Sequence, residues 1–192
     1  MKVTIKKLKK EIEKLKKLVY EDELTKLLNR RGFFKLAEPI FKEIKYVKSY
    51  PNKRKNFKIN NLSIILLDID NFKKINDNYG HLIGDQVLIL VANTIKNRLR
   101  DIDLVGRYGG EEIVIMLLGA NKKSAYNIAE EIREKIASSY LKINKNKKLT
   151  ITVSLGIAEL TKEKDLAELI KKADQAMYQA KKTGKNRTII SN

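Results

Sequence analysis

The chain has 192 residues, 41 Lys and Arg against 23 Asp and Glu, and a formal net charge of +18; its 43% hydrophobic content supports one core of ordinary domain size, which excludes global disorder. It has no Cys and a single His, which excludes a disulfide scaffold, thiolate or imidazole-pair zinc sites and a cysteine nucleophile. Uncharged runs such as Ile59 to Leu67 and Gln86 to Ile95 are far shorter than the roughly 20 apolar residues of a membrane span, and the Lys-rich N-terminus lacks an apolar signal core, so a cytoplasmic chain is expected.

Residues 2 to 20 hold eight Lys, two Glu and an apolar seam at Ile5, Leu8, Ile12, Leu15 and Val19. Gaps of 3, 4, 3 and 4 predict a helix, with the spacing of a coiled coil. Two readings stand: an amphipathic helix lying on the domain, or the stub of a parallel dimer helix. A second helix is predicted from Arg30 to about Lys48, with Phe33, Phe34, Ala37, Ile40, Phe41 and Ile44 inward. Ser49 to Asn61, with Pro51, Lys53, Arg54 and Lys55, reads as a basic surface loop. Leu62 to Leu67 is an apolar strand; Asp70 or Asn71 caps the next helix, which Gly80 ends. A long buried helix is predicted from Asp85 to about Leu99. Asp103 to Arg107 and Glu112 to Leu117 read as strands around Gly109-Gly110, a hairpin step in which both glycines can take positive φ. A helix over Lys122 to Ser138, a strand over Leu149 to Ile157, a helix over Asp165 to Lys182 and a strand over Arg187 to Ile190 complete the chain. The expected fold class is α+β, a mixed or antiparallel sheet of about five strands covered by helices.

The charge raises nucleic acid as a partner, but the lysines are scattered, Trp is absent and no aromatics interleave the basic runs. A general preference for Lys, Asn and Ile is the simpler reading. Two acidic sites point elsewhere. The strand Leu62 to Leu67 delivers Asp68-Ile69-Asp70 at its end, a way to hold a hard divalent cation against phosphate. Gly109-Gly110-Glu111-Glu112 sets adjacent carboxylates at a turn, where they repel one another unless a cation or proton intervenes.

Together the motifs resemble a known family. Asp68-Ile69-Asp70-Asn71-Phe72-Lys73-Lys74-Ile75-Asn76-Asp77 is followed by Gly80-His81, Gly84-Asp85, Arg107-Tyr108-Gly109-Gly110-Glu111-Glu112-Ile113, Ser154-Leu155-Gly156-Ile157 and Ala173-Asp174, Ala176-Met177-Tyr178, Ala180-Lys181, Gly184-Lys185-Asn186-Arg187. With Asp22, Leu24-Thr25, Leu27 and Asn29-Arg30-Arg31 ahead of them, they resemble a GGDEF-domain diguanylate cyclase over about residues 22 to 190. The resemblance implies a palm-like nucleotidyl-cyclase fold over residues 21 to 192, behind an N-terminal helix over 1 to 20. It implies a nucleotidyltransferase: a homodimer condensing two GTP into cyclic di-GMP and two pyrophosphates, each 3′-hydroxyl attacking the partner's α-phosphate. It gives Mg²⁺, two per site with Mn²⁺ as a substitute, to Asp68, the Ile69 carbonyl and Glu111; proton acceptance to Glu111; and help at the second metal to Glu112. Asn76 and Asp85 are given the guanine edge, with His81 beside them. Asn71, Phe72 and Lys73, through backbone amides at a helix start, and Lys181 and Lys185 are given the phosphates. Arg100 and Asp103, as Arg-x-x-Asp, with Arg107 as an accessory, are given a product-inhibition site.

Three departures from the family pattern carry expectations. Lys185 stands where Arg is commoner, keeping the charge without the bidentate fork, which alters nucleotide affinity. Ile113 replaces a Phe at a core-facing strand position, with little chemical effect. Glu131 falls where some members carry a partner-subunit Arg that completes the inhibitory site, so cross-linking of two domains by product is expected to be weaker or differently built. A degenerate nucleotide receptor and a different nucleotidyl transferase are the competing readings.

Overall fold

The computed structural model describes residues 2–50, 59–144 and 146–192. Most of the basic loop read over Ser49 to Asn61 lies outside the described residues.

The element order is α1 (Lys2–Tyr20), β1 (Leu28–Asn29), α2 (Arg30–Ser49), β2 (Leu62–Ile69), α3 (Phe72–Tyr79), α4 (His81–Arg98), β3 (Leu104–Arg107), β4 (Glu112–Leu118), α5 (Lys122–Ala137), β5 (Tyr140–Asn144), β6 (Lys147–Thr150), β7 (Val153–Glu159), α6 (Leu166–Lys182) and β8 (Thr188–Ile190). Six strands form one mixed sheet in the order β1-β3-β4-β2-β7-β8. The outer pairs β1/β3 and β7/β8 are parallel, and the inner pairs are antiparallel.

Strand β2 sits at the centre with all eight residues buried, which explains its unbroken apolar run. Its alternate side chains serve two layers. Ile65, Leu67 and Ile69 face α3, α4 and α5, meeting Val87, Leu88, Val91, Ala129 and Ile132. Leu62, Ile64 and Leu66 face α2 and α6, meeting Phe33, Phe41, Leu169 and Ile170. Helix α6 lies so close to β7 that a Cβ on Gly156 would overlap the backbone of Ala173 and Met177.

Several expectations are corrected. The strand read over Leu149 to Ile157 is two strands: β6 pairs with β5 in a separate ribbon, β7 joins the main sheet, and Ile151 and Thr152 make the crossing. The long helix starts at His81 rather than Asp85, because Gly80, at φ 83°, both ends α3 and opens α4. The two-residue β1 and the polar β5 lack enough pattern to be seen in sequence; β1 brings the main sheet to six strands, where about five were expected, and β5 belongs to the separate ribbon.

Helix α1 does not lie along the domain. Its seam residues Ile5, Leu8, Ile12, Leu15 and Val19 are between 42% and 58% exposed. Its C-terminal end, in contrast, is fixed. The Asn29 side chain donates to the carbonyls of Val19 (2.9 Å) and Glu21 (3.3 Å), while its Oδ1 caps α2 by accepting from Gly32 N–H (2.8 Å). A Cβ on Gly32 would overlap the Tyr20 carbonyl, so glycine is what lets the two helices touch. No described helix is long and apolar enough to cross a membrane.

Candidate active site

Asp68 lies one residue before the end of β2 and sits directly opposite Glu112, the first residue of β4. Sheet register therefore brings together the two acidic runs that sequence separates by some forty positions. Glu111 and Glu112 are half-buried, and the Asp68 side chain is almost fully so. Burial pushes the Asp68 carboxyl up, the neighbouring Asp70 adds to this, and Lys181 opposes it. Burial also raises Glu111 and Glu112, and the charge of Asp68 raises both further. Asp174 raises Glu112 as well, from α6. A cavity of about 290 Å³ lies there, lined by Tyr108, Glu112, Lys171 and Asp174 among others.

The glycines of the hairpin act differently from the turn expectation. Neither Gly109 nor Gly110 has its φ in the left-handed region. Gly109 leaves room for the Glu112 carboxylate, which a Cβ there would displace. The turn closes through Tyr108 N–H and Gly109 N–H to the Glu112 carbonyl, at 2.8 and 3.3 Å.

Asp70 is scaffolding. Its carboxylate accepts from Thr152 Oγ1 (2.8 Å), Ser154 Oγ (2.7 Å) and the Asn186 amide (3.0 Å), and its own amide donates to the Thr152 carbonyl (2.9 Å). It thus fastens the end of β2 to β7 and to the loop after α6. That loop is strained. Gly184, Lys185 and Asn186 have φ of 122°, 63° and 44°, and Asn71, at the turn after β2, has 57°. Such conformations persist only where surrounding contacts over-determine them, and here they converge on one site. Lys185 Nζ donates to Asn71 Oδ1 at 2.6 Å, and Lys181 Nζ lies 2.6 Å from Asp68 Oδ2.

Asn71 gives α3 no side-chain cap, so the first-turn amides at Phe72 and Lys73 are left without one. Phe72 itself is buried beneath them and Lys73 is exposed. In α3, Asn76 has a buried Oδ1 with no hydrogen-bond partner. It lies over Gly84 of α4, where a Cβ would overlap that oxygen, and the half-buried Asp85 is the next residue of α4. His81 is the exposed first residue of α4.

Arg100 and Asp103 are also brought together. The Arg100 guanidinium donates to both Asp103 oxygens, at 3.1 and 2.9 Å, and to the Leu118 carbonyl at 2.7 Å. The Asp103 carboxylate, 1% exposed, accepts from the Arg100 and Leu118 amides too, both at 3.1 Å. Arg107, expected beside this pair, has its donors elsewhere: Nη1 to Asp22 (3.1 and 3.3 Å), Nε and Nη2 to the Gly110 carbonyl (3.1 and 2.7 Å). Glu131 on α5 is ion-paired to Arg98.

Sequence reasoning missed the Asp70 network, the Asp174 carboxylate beside Glu112 and the Asp22–Arg107 link. Asp174 and Lys181 are seven residues apart on α6, hence on one face, which is a signal the sequence does contain.

The donor set suits a hard cation shared with a ligand. Among the described residues no three His, Cys, Asp or Glu converge as a closed cage. Mg²⁺ is commonly held by one or two carboxylates together with substrate phosphates, and Asp68 and Glu111 fit that pattern.

Comparison with known proteins gives the class. The model for the diguanylate cyclase GGDEF domain matches residues 19–187. Diguanylate cyclase DgcM of Escherichia coli is 36% identical over 180 residues, 93% of this chain and 40% of that protein. Diguanylate cyclase A of Treponema denticola is 40% identical over 131 residues, 68% of this chain and 35% of that protein. The chain therefore spans about 40% or less of the length of these relatives. Among solved structures, the coiled coil and GGDEF domain of DgcB from Caulobacter crescentus, in complex with c-di-GMP, superposes with a TM-score of 0.83 at 27% identity, covering 99% of this chain and 95% of that one. The active GGEEF domain of a diguanylate cyclase from Vibrio cholerae gives 0.76 at 33% identity, covering 86% and 98%. This chain belongs to the GGDEF domain family.

Proposed function

We propose that the chain is a cytoplasmic diguanylate cyclase, with residues 1 to 20 as a dimer helix and 21 to 192 as the catalytic domain. The observation that carries this reading is the meeting of Asp68 with Glu111 and Glu112 at the edge of β2 and β4. GTP is the substrate. Guanine offers N1 and N2 donors, which the Asn76 oxygen and the Asp85 carboxylate accept, while an adenine edge leaves both without donors of that geometry. His81, the exposed first residue of α4, is assigned beside them. The triphosphate is held by the backbone amides at Asn71, Phe72 and Lys73, and by Lys181 and Lys185.

In each half-reaction the 3′-hydroxyl oxygen of one GTP forms a bond to the α-phosphorus of the other, and the bond from that phosphorus to the β-phosphate oxygen breaks. Pyrophosphate leaves, and the hydroxyl proton passes to Glu111. Two such steps give cyclic di-GMP and two pyrophosphates. Mg²⁺ (or Mn²⁺) supplies charge neutralisation at the triphosphate, with Asp68, the Ile69 carbonyl and Glu111 as the residues that would hold it and Glu112 assisting at a second ion. Holding and neutralising are most of what phosphoryl transfer asks of a protein.

Two GTP on two domains require a second copy. The α1 seam supports a parallel pair: β-branched Ile5, Ile12 and Val19 alternate with Leu8 and Leu15, the combination that favours two strands. Arg100, half-exposed beside its buried partner Asp103, is the proposed contact for cyclic di-GMP as inhibitor. Arg107 is proposed as an accessory contact there. The Glu131 carboxylate, anionic where an Arg would grip product phosphates, weakens any bridging of two domains.

Incubation of purified protein with Mg²⁺ and GTP, followed by chromatography of the products, tests the reading. Cyclic di-GMP is expected from the dimer. No product from a dimeric sample favours a nucleotide receptor, and another cyclic nucleotide favours a different transferase. Glu111→Ala is expected to bind GTP without turnover, and Arg100→Ala to turn over without product inhibition.

A further inference from the structure

The lysine given to the phosphates is already engaged on the carboxylate given to the metal. Lys181 Nζ lies 2.6 Å from Asp68 Oδ2, and Asp68 is buried while Lys181 is about one-third exposed. Among the described residues Lys181 is the cation that ion-pairs with Asp68, and the charge of Lys185 acts on that carboxylate as well. Asp70 is itself an anion, with its oxygens committed to Thr152, Ser154 and the Asn186 amide. Glu111 and Glu112 add further negative charge. Lys185, the other cation of the loop, is held on Asn71. An ammonium and a divalent cation compete for the same carboxylate oxygen, because each needs a lone pair that the other covers.

We infer that Lys181 is an exchangeable counter-ion that makes metal and triphosphate binding cooperative. In the free protein it closes Asp68 to cations. A triphosphate draws the ammonium away, because several anionic oxygens outcompete one carboxylate, and Asp68 is released at the moment the phosphates arrive to complete a coordination shell. Position allows this. Lys181 lies in the last turn of α6, ahead of the loop carrying Gly184 and Lys185, and its flexible stem can carry the charge between the two partners. The free protein is thereby kept from filling its active site with metal alone, and a nucleoside triphosphate is favoured over a nucleoside, which has no charge with which to move Lys181.

The inference rests on the proposed metal and triphosphate site, and its test separates the two. Protein-bound Mn²⁺ is measured by water-proton relaxation enhancement, without nucleotide and with a non-hydrolysable GTP analogue. Lys181→Met is expected to bind Mn²⁺ alone about tenfold more tightly than the unsubstituted protein, since one adjacent opposite charge shifts a carboxylate equilibrium by at least that factor. Its gain in Mn²⁺ affinity on adding the analogue is expected to shrink correspondingly, while Lys181→Arg keeps the original coupling. Mn²⁺ affinity in Lys181→Met, without nucleotide, equal to or weaker than in the unsubstituted protein would overturn the inference. Should the methionine variant fail to fold, Lys181→Gln makes the same comparison. Asp68→Asn separately tests the site: if it leaves Mn²⁺ binding in the analogue complex unchanged, the metal assignment itself fails, and the counter-ion role with it.

Discussion

Arg107 holds Asp22 and the Gly110 carbonyl at once, with Nη1 3.1 Å from the nearer Asp22 oxygen and Nη2 2.7 Å from Gly110. Burial alone would raise the Asp22 carboxyl; hydrogen bonds from the Thr25 hydroxyl and amide, and the charge of Arg107, outweigh that and hold it below its ordinary value. The segment that leaves α1 is thus tied to the turn that carries Glu111.

Arg107→Met should therefore act on turnover more than on binding. The expected loss is about tenfold in kcat, the scale set by sub-ångström misplacement of a reacting group, with KM for GTP within about twofold. Asp22→Asn should reproduce the effect, and the double variant should be no worse than either single one. Steady-state kinetics on the three variants check this; additive losses would place the two side chains in separate roles.

Gly84→Ala isolates the guanine pocket. The atoms nearest the added methyl are the end of the Asn76 side chain and the Phe72 ring, so the fold can yield, but Asn76 must leave its place. A rise in KM for GTP of about tenfold, one lost buried hydrogen-bond pair, is expected with Tm nearly unchanged. Asn76→Ala should behave alike, because its buried oxygen has no partner to lose in the free protein. A large fall in Tm in either variant would contradict this.

Glu163 provides the pH dependence of stability. Burial would raise its carboxyl, but the Lys172 ammonium and the backbone amides of Thr161 and Glu163 hold it at about 2, against an ordinary 4.5. A carboxyl depressed in the folded state contributes its stability fully above about pH 4.5 and loses it as the pH falls towards 2. Glu163→Gln should cost about 2 kcal/mol at pH 7. The difference from the unsubstituted protein should close across that acidic window. Urea denaturation at a series of pH values checks both.

Gly156→Ala should be the most damaging single methyl. It would drive into the backbone of α6 at Ala173 and Met177, which no side-chain rotation relieves, and about 3 kcal/mol or more of destabilisation is expected. Thermal melts, or loss of soluble expression, measure it.

The parts of this molecule legible in sequence share a cause: each is written in a local period or a contiguous motif. The eight buried residues of β2, the inner face of α2 and the α6 stripe all follow from spacing. The alternation over Leu149 to Ile157 was legible too, but not its division, because what divides it is the bond from Asp70 to Thr152, eighty-two positions away. The same holds for the site. Asp68, Glu111 and Glu112 could be named as candidates from their runs, whereas their meeting depends on which residues face each other across β2 and β4. Arg107 illustrates the limit most directly. Its neighbourhood in sequence pointed to Arg100 and Asp103, while its partner in space, Asp22, lies eighty-five positions upstream.

The clamp of Asn29 and Gly32 on the last turn of α1 makes that helix a handle rather than a tether. Nineteen helical residues extend about 28 Å from a fixed root. A sideways shift of about 5 Å at the far end turns the root by only about 10°, yet that root is Tyr20, two residues from Asp22. Mechanical advantage runs toward the chemistry: whatever grips the outer turns of α1 works on the Glu111 turn with a long arm against a short one.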